Sequence, residues 1–97
     1  MTYLLHRDAE RELEAAFQFY KNKASMRVAQ RFLDEFERVA SMVDESPEIG
    51  TRTNSDRRTF PFRTFPYSII YKSINADVKI LVVRHDRRSP DFGKNRV

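Results

Sequence analysis

Two links of three residues, Thr64-Phe65-Pro66 and Asn75-Ala76-Asp77, separate the last three apolar runs of this chain. A parallel crossover takes a dozen residues or more, so runs joined this tightly must lie antiparallel. The runs are Arg58–Arg63, Tyr67–Ile74 and Val78–Arg84, rich in the β-branched and aromatic residues that suit strands. They predict a three-stranded antiparallel meander. Pro61 has no amide to donate, which puts the first of these strands at an edge or bulges it there.

Before residue 50 the period is different. Tyr3-Leu4-Leu5 is a short strand-like run, and from Asp8 the residues Ala9, Leu13, Ala16, Phe17 and Tyr20 draw an apolar stripe at helical spacing. Glu10 and Glu12 fall in the first turn of that helix, where they suit its positive dipole end, and the pattern runs to about Lys23. Ser25 offers an N-cap to a second helix, whose stripe is Val28, Phe32, Phe36, Val39, Ala40 and Val43, ending near Asp44. The brief link makes the two helices an antiparallel hairpin. Pro47 and Gly50 stop the second helix, and a polar loop, Thr51–Asp56, leads to the sheet. The expected architecture is α+β in the order β-α-α-β-β-β, one domain over residues 1–97 with a small sheet packed on the hairpin.

Charge is divided unevenly along the chain. Residues 1–50 hold 7 Lys/Arg and 10 Asp/Glu, a net of −3, whereas residues 51–97 hold 11 and 4, a net of +7. Such asymmetry predicts a face that attracts nucleic acid or an acidic protein. The absence of cysteine excludes disulfide and thiolate chemistry, and two histidines, His6 and His85, are too few for a zinc site without carboxylates. No metal and no cofactor are expected. No run approaches the roughly 20 apolar residues of a membrane span, so the expectation is a soluble cytoplasmic protein with no membrane partner.

The most pointed segment is Lys79 to Pro90, in which the apolar sequence of the last strand ends in His85-Asp86-Arg87-Arg88. Metal-free RNA cleavage needs a base, cations for the charged transition state and an acid. Histidine is the residue type that titrates near neutrality, so His85 is the proton-transfer candidate; the alternative is a histidine bonded to backbone at a strand end. Arg58, Arg63, Arg84, Arg87 and Arg88 offer planar forks for phosphate oxygens. Any one of them is better explained by pairing with Asp86, Asp91 or a carboxylate of the second helix, but together they favour a site for an anion or an acidic partner. Arg58 and Arg63 stand an odd number apart on one strand and should face opposite ways. Tyr67 and Tyr71 share a face with Ile69 between them, which favours core packing over a base-stacking platform. Lys72 and Lys79 read as solvated edge charges.

Taken in order, Ala9, Glu12-Leu13, Tyr20, Phe32, Pro47-Glu48-Ile49-Gly50, Arg57-Arg58, Phe65-Pro66-Tyr67, Ile70-Tyr71 and His85-Asp86-Arg87-Arg88-Ser89-Pro90 resemble the RelE/ParE superfamily of bacterial type II toxin-antitoxin toxins. The resemblance implies a growth inhibitor of the plasmid-stabilisation type, neutralised by a cognate antitoxin, with operator DNA reached only through that antitoxin. ParE-like members act on DNA gyrase without nuclease chemistry, and RelE-like members cleave mRNA on the ribosome. In the second case the catalytic candidates are His85, Arg58, Arg84 and Arg88. Target or anion binding would fall to Arg57, Arg63 and Arg87, and antitoxin binding to Phe17, Tyr20 and Phe36. The family's tyrosine and tryptophan after the proline stand here as Phe92 and Gly93, and no lysine-rich loop precedes the sheet, so the ParE-like reading is favoured. A non-toxic module that merely titrates antitoxin is the third reading.

Overall fold

Two amphipathic segments form α1 (Arg7–Lys23) and α2 (Met26–Glu45) in a computed structural model that describes residues 3–53 and 56–97. The imidazole Nδ1 of His6 accepts the Asp8 amide at 3.0 Å and opens α1, and the Ser25 hydroxyl accepts the Val28 amide at 3.2 Å and opens α2. Ala24 and Ser25 alone separate the helices, which pack side by side.

Five strands make the sheet: β1 (Leu4–Leu5), β2 (Thr51–Arg52), β3 (Arg57–Pro61), β4 (Tyr67–Ile74) and β5 (Asp77–His85), in the spatial order β1-β5-β4-β3-β2. The antiparallel meander β3-β4-β5 is the one its short links dictate. Two strands extend it. β1 lies parallel to β5, with Leu4 beside Lys79, since the helical hairpin and three further strands intervene between them. β2 pairs with β3, where the sequence reads as loop; Asn54 and Ser55, the middle of that expected loop, lie outside the described residues. Pro61 ends β3 in regular register opposite Ser68. The Arg57 carbonyl accepts the Thr53 amide on the outer side, and the Phe62 amide donates inward to Tyr67, so Pro61's missing donor faces the open edge past β2.

The core lies between the helices and one face of this sheet. Phe32, fully buried, meets Tyr20, Phe62, Phe65 and Tyr67 with ring centroids 5.1 to 5.4 Å away, within the range where aromatic pairs add to simple burial. Val39, Ala40 and Val43 continue the α2 stripe against Ile69, Tyr71, Val78 and Ile80.

One extra residue in β5 sets the geometry of everything downstream. Ile70 stands opposite Val82 but Tyr71 stands opposite Ile80, leaving Leu81 without a counterpart. Val78 and Ile80 face the helices, Leu81 and Val82 both turn to the other face, and Val83 returns to the helix side. With strict alternation Arg84 would look toward the helices; the bulge gives that place to His85.

β1 covers β5 only as far as Ile80, whose carbonyl accepts the His6 amide. Beyond it an ion pair takes the place of a strand. Glu12 accepts the Val83 amide at 3.0 Å, Arg96 donates to the Leu81 carbonyl at 2.9 Å, and the two side chains join at 2.7 and 2.9 Å. Glu12 therefore lies beyond the first turn and serves the sheet edge, not the helix dipole. Arg96 belongs to a tail that folds over the second face, where Phe92 packs on Ile70, Leu81 and Val82 between the guanidinium groups of Arg88 and Arg96. Gly93 comes next at φ +76°, and a Cβ there would approach Val82 Cγ2 to 2.7 Å, so only glycine fits.

On α2, Glu35 is buried and binds the turn after β3. Its carboxylate accepts the Arg63 amide, the Thr64 amide at 2.9 Å and the Thr64 hydroxyl. Burial pushes its pKa up, but the Thr64 and Arg63 hydrogen bonds, with Arg38 nearby, outweigh it and hold the pKa below the ordinary glutamate value. A lowered folded-state pKa means that this stability is complete above the ordinary glutamate range and is lost as pH falls through it. Urea unfolding between pH 7 and pH 3 should show the wild type losing stability over that acid range. Glu35→Gln should be about 1–3 kcal/mol less stable at neutral pH and flatter with acid; an unchanged acid slope would contradict the assignment.

Candidate binding groove at the end of the last strand

The bulge that turns His85 toward the helices also opens a groove there. Glu12, Ala15 and Phe19 of α1 form one wall, Tyr67 and His85 the floor, and Arg87 and Arg88 the rim, around a cavity of about 390 Å³. Small residues on α1 make the space, because Ala15 and Ala16 present no bulk to β5. Phe19 stays 53% exposed at its edge, an aromatic ring that the core does not cover.

Apart from Glu12, the polar side chains lining this groove are Tyr67, His85 and the cations Arg87 and Arg88. His85 packs edge-on against Tyr67 with ring centroids 5.0 Å apart, and its Nδ1 accepts the Arg87 amide at 3.1 Å. A neutral imidazole held this way carries its proton on Nε2, toward the groove. Burial pushes the Tyr67 phenol up, only partly offset by Arg88, so it too stays protonated. Glu12 is consumed by Arg96 and the Val83 amide. Backbone groups alternate in direction along a strand, so with the Val83 amide facing outward, the Val83 carbonyl and the His85 amide also face this edge. The groove thus combines apolar walls, an open strand edge and a cationic rim.

The candidates read from the sequence divide among several places. Arg58, opposite Tyr71 on β3, is about four residues along β4 from His85 and two strands away, roughly 13 and 10 Å respectively by strand geometry. Its guanidinium holds the Glu48 and Gly50 carbonyls at 3.2 and 2.9 Å, while the Tyr71 hydroxyl binds the Gly50 amide and the Pro47 carbonyl. These two side chains fasten the Pro47–Gly50 turn; a Cβ on Gly50 would fall 2.5 Å from that hydroxyl. Arg84 lies on the face away from the helices and folds back onto the Asp86 and Arg88 carbonyls. Of the four catalytic candidates, only His85 and Arg88 share the groove.

Arg57 reaches across to the Lys94 and Arg96 carbonyls at the far end of the sheet. Arg63 is exposed in the turn after β3, and Arg87 is exposed on the groove rim. Among the residues expected to meet a partner, Phe17 and Tyr20 are half-buried, and Tyr20 is occupied by Phe32, Phe65 and Tyr67. Phe36 is corrected outright: it is 2% exposed and fills the core beside Tyr3 and Phe62. Phe19, off the apolar stripe, is the exposed aromatic that the periodicity passed over. Lys72 and Lys79 are likewise not edge charges, since they face one another on the interior strands β4 and β5.

Among the described residues no cluster of metal-ligating side chains occurs, and no helix is long and apolar enough to cross a membrane. The family model of the ParE toxin of the type II toxin-antitoxin system parDE matches residues 3–90. The chain belongs to the ParE toxin family. Among solved structures, the chromosomal ParDE toxin-antitoxin system from P. aeruginosa contains a chain of the same fold, with a TM-score of 0.77 and 16% identity over 88% of this chain and 95% of that one. No curated protein matches by sequence. The ParE match ends at Pro90, so the tail that carries Phe92 and Arg96 lies beyond it.

Proposed function

We propose that this ParE-family toxin arrests growth by binding DNA gyrase through the cationic end of β5, without cleaving RNA, and that its antitoxin silences it by filling the groove between α1 and β5. One observation carries the reading: of the arginines a cleavage reaction would enlist, only Arg88 shares the groove with His85, and the acid-base groups beside it are already engaged, Glu12 by Arg96 and the Val83 amide and Tyr67 by the aromatic core. Arg58 lies at the far end of the sheet, and Arg84 is folded back onto backbone carbonyls. Such a set binds an anion or an acidic surface better than it performs acid-base catalysis.

The antitoxin reading is supported by shape and chemistry together. An exposed aromatic, two alanines and an outward-facing strand edge suit a segment that arrives extended or helical and folds on the toxin. Occupation of the groove covers His85, Arg87 and Arg88 directly. An antitoxin bound there needs no allosteric route to inhibition.

Expressed alone in a bacterial host, the wild type should stop growth, and the purified protein should inhibit supercoiling by gyrase. His85→Ala should retain that inhibition within about threefold, whereas Arg87→Glu, which reverses a rim charge, should weaken it roughly tenfold or more. Cleavage of transcripts during translation that disappears in His85→Ala would overturn the proposal in favour of a ribosome-dependent nuclease. Phe19→Asp should weaken antitoxin binding about 10- to 100-fold in a direct titration, and an unchanged affinity would remove the groove from the antitoxin interface.

A further inference from the structure

Arg88 lines the groove beside His85, yet it is held from the opposite face of the sheet. Its amide donates to the His85 carbonyl and its own carbonyl accepts Arg84 Nη1, both at 2.9 Å. Its guanidinium lies over the ring of Phe92, 4.5 Å from the centroid, and that ring packs on Ile70, Leu81 and Val82. Backbone and side chain are thus fixed separately, the first by Arg84 and the second by the tail. The turn between them is pinned as well. The Asp86 amide donates to the Pro66 carbonyl at 2.9 Å, and the Asp86 carboxylate accepts the Ser68 hydroxyl at 2.9 Å, so the acid of this turn is tied to the sheet and pairs with neither Arg87 nor Arg88.

These contacts leave the binding capacity of Arg88 untouched. A ring attracts the face of a guanidinium and takes none of its N–H donors. Among the described residues no hydrogen bond or ion pair occupies the Arg88 side chain, so its planar fork stays free for an acidic group of a target. Arg84, by contrast, makes its contact against a penalty. Its Nε is buried without a partner, and an unpaired buried donor is destabilising. Violations of this kind are expected at functional sites.

We infer that Arg84 and Phe92 are positioning residues that aim Arg88 at an acidic group of the target, so that the tail beyond the family match at Pro90 belongs to the binding apparatus. The inference rests on the reading that this rim engages gyrase. A fork already held in its bound direction has less freedom to lose on binding than one that must be ordered on arrival. Phe92 therefore acts on the target only through Arg88.

In the free toxin, nuclear magnetic resonance relaxation of the Arg88 Nε–H should show a group as rigid as the backbone. Phe92→Leu, which keeps an apolar side chain on Ile70, Leu81 and Val82, should release it, and Phe92→Tyr should not. In gyrase supercoiling assays at fixed ionic strength, Phe92→Leu and Arg84→Met should each weaken inhibition about three- to tenfold, and Phe92→Tyr should match the wild type. Added to Arg88→Met, Phe92→Leu should cost nothing more. Arg87→Glu separates the two claims. If it inhibits as the wild type does, the rim reading itself fails; if it is weakened and Phe92→Leu is not, positioning alone is overturned. Positioning is overturned equally by the same loss in Phe92→Tyr, by a further loss when Phe92→Leu is added to Arg88→Met, or by an Arg88 Nε–H as mobile in the wild type as in Phe92→Leu.

Discussion

The geometry of this toxin depends on one extra residue in its longest strand and on the ion pair that stabilises the edge beyond it. Leu81 and Val82 both turn from the helices, and had β5 kept strict alternation His85 would point to the face that the tail covers. A bulge exposes backbone groups that a neighbouring strand would ordinarily satisfy, and β1 is too short to reach them. Glu12 supplies the acceptor and Arg96 the donor. Because the two are also paired with each other, neither charge is left uncompensated in a half-buried place, which would cost more than the hydrogen bonds return. The pair raises the Arg96 pKa still further, chiefly through its bonds to Glu12, so the guanidinium keeps its charge.

Both ends of the molecule depend on that arrangement. Toward the C-terminal end of β5 the strand edge is open again, and His85, Arg87 and Arg88 gather beside the alanine face of α1. At the other end the tail, anchored by Arg96, lays its carbonyls across Arg57 and Lys79 and holds a row of cations in place. The cations of residues 51–97 are thus divided between both ends and both faces of the sheet rather than gathered on a single face. Neutral backbone and a few carboxylates position these cations while leaving most of their charge unspent.

Much of the fold was legible because its signals are local. The stripes through Phe32 and Val43, the stop at Pro47 and the three-residue links each declare their element within a few residues. The features that escaped were either too short or too remote. β2 has two residues, a single period of strand alternation and too few to show a pattern. Glu12 looks like an ordinary helix acid because its partners, Val83 and Arg96, are 71 and 84 residues away. Leu81, Val82 and Val83 are all apolar, so a slip in alternation leaves no trace in the sequence, and with it the facing of Arg84 and His85 is hidden. Phe19 did carry a signal: an aromatic off the helical stripe is out of place unless something covers it. The arginines read in the sequence as one cluster, and only the register separates Arg58 from His85.

That a side-chain pair replaces a strand at the edge of β5 is open to test by amide hydrogen exchange at Val83. In the wild type the Val83 amide should exchange as slowly as those of Val78 and Ile80, although no strand lies on the side it faces. In Glu12→Gln, where the amide side chain neither pairs with Arg96 nor accepts as strongly, Val83 should lose protection while Val78 and Ile80 keep theirs. Rapid exchange of Val83 in the wild type, or protection that survives the substitution unchanged, would contradict the ion pair as the element that closes the edge and sets the groove.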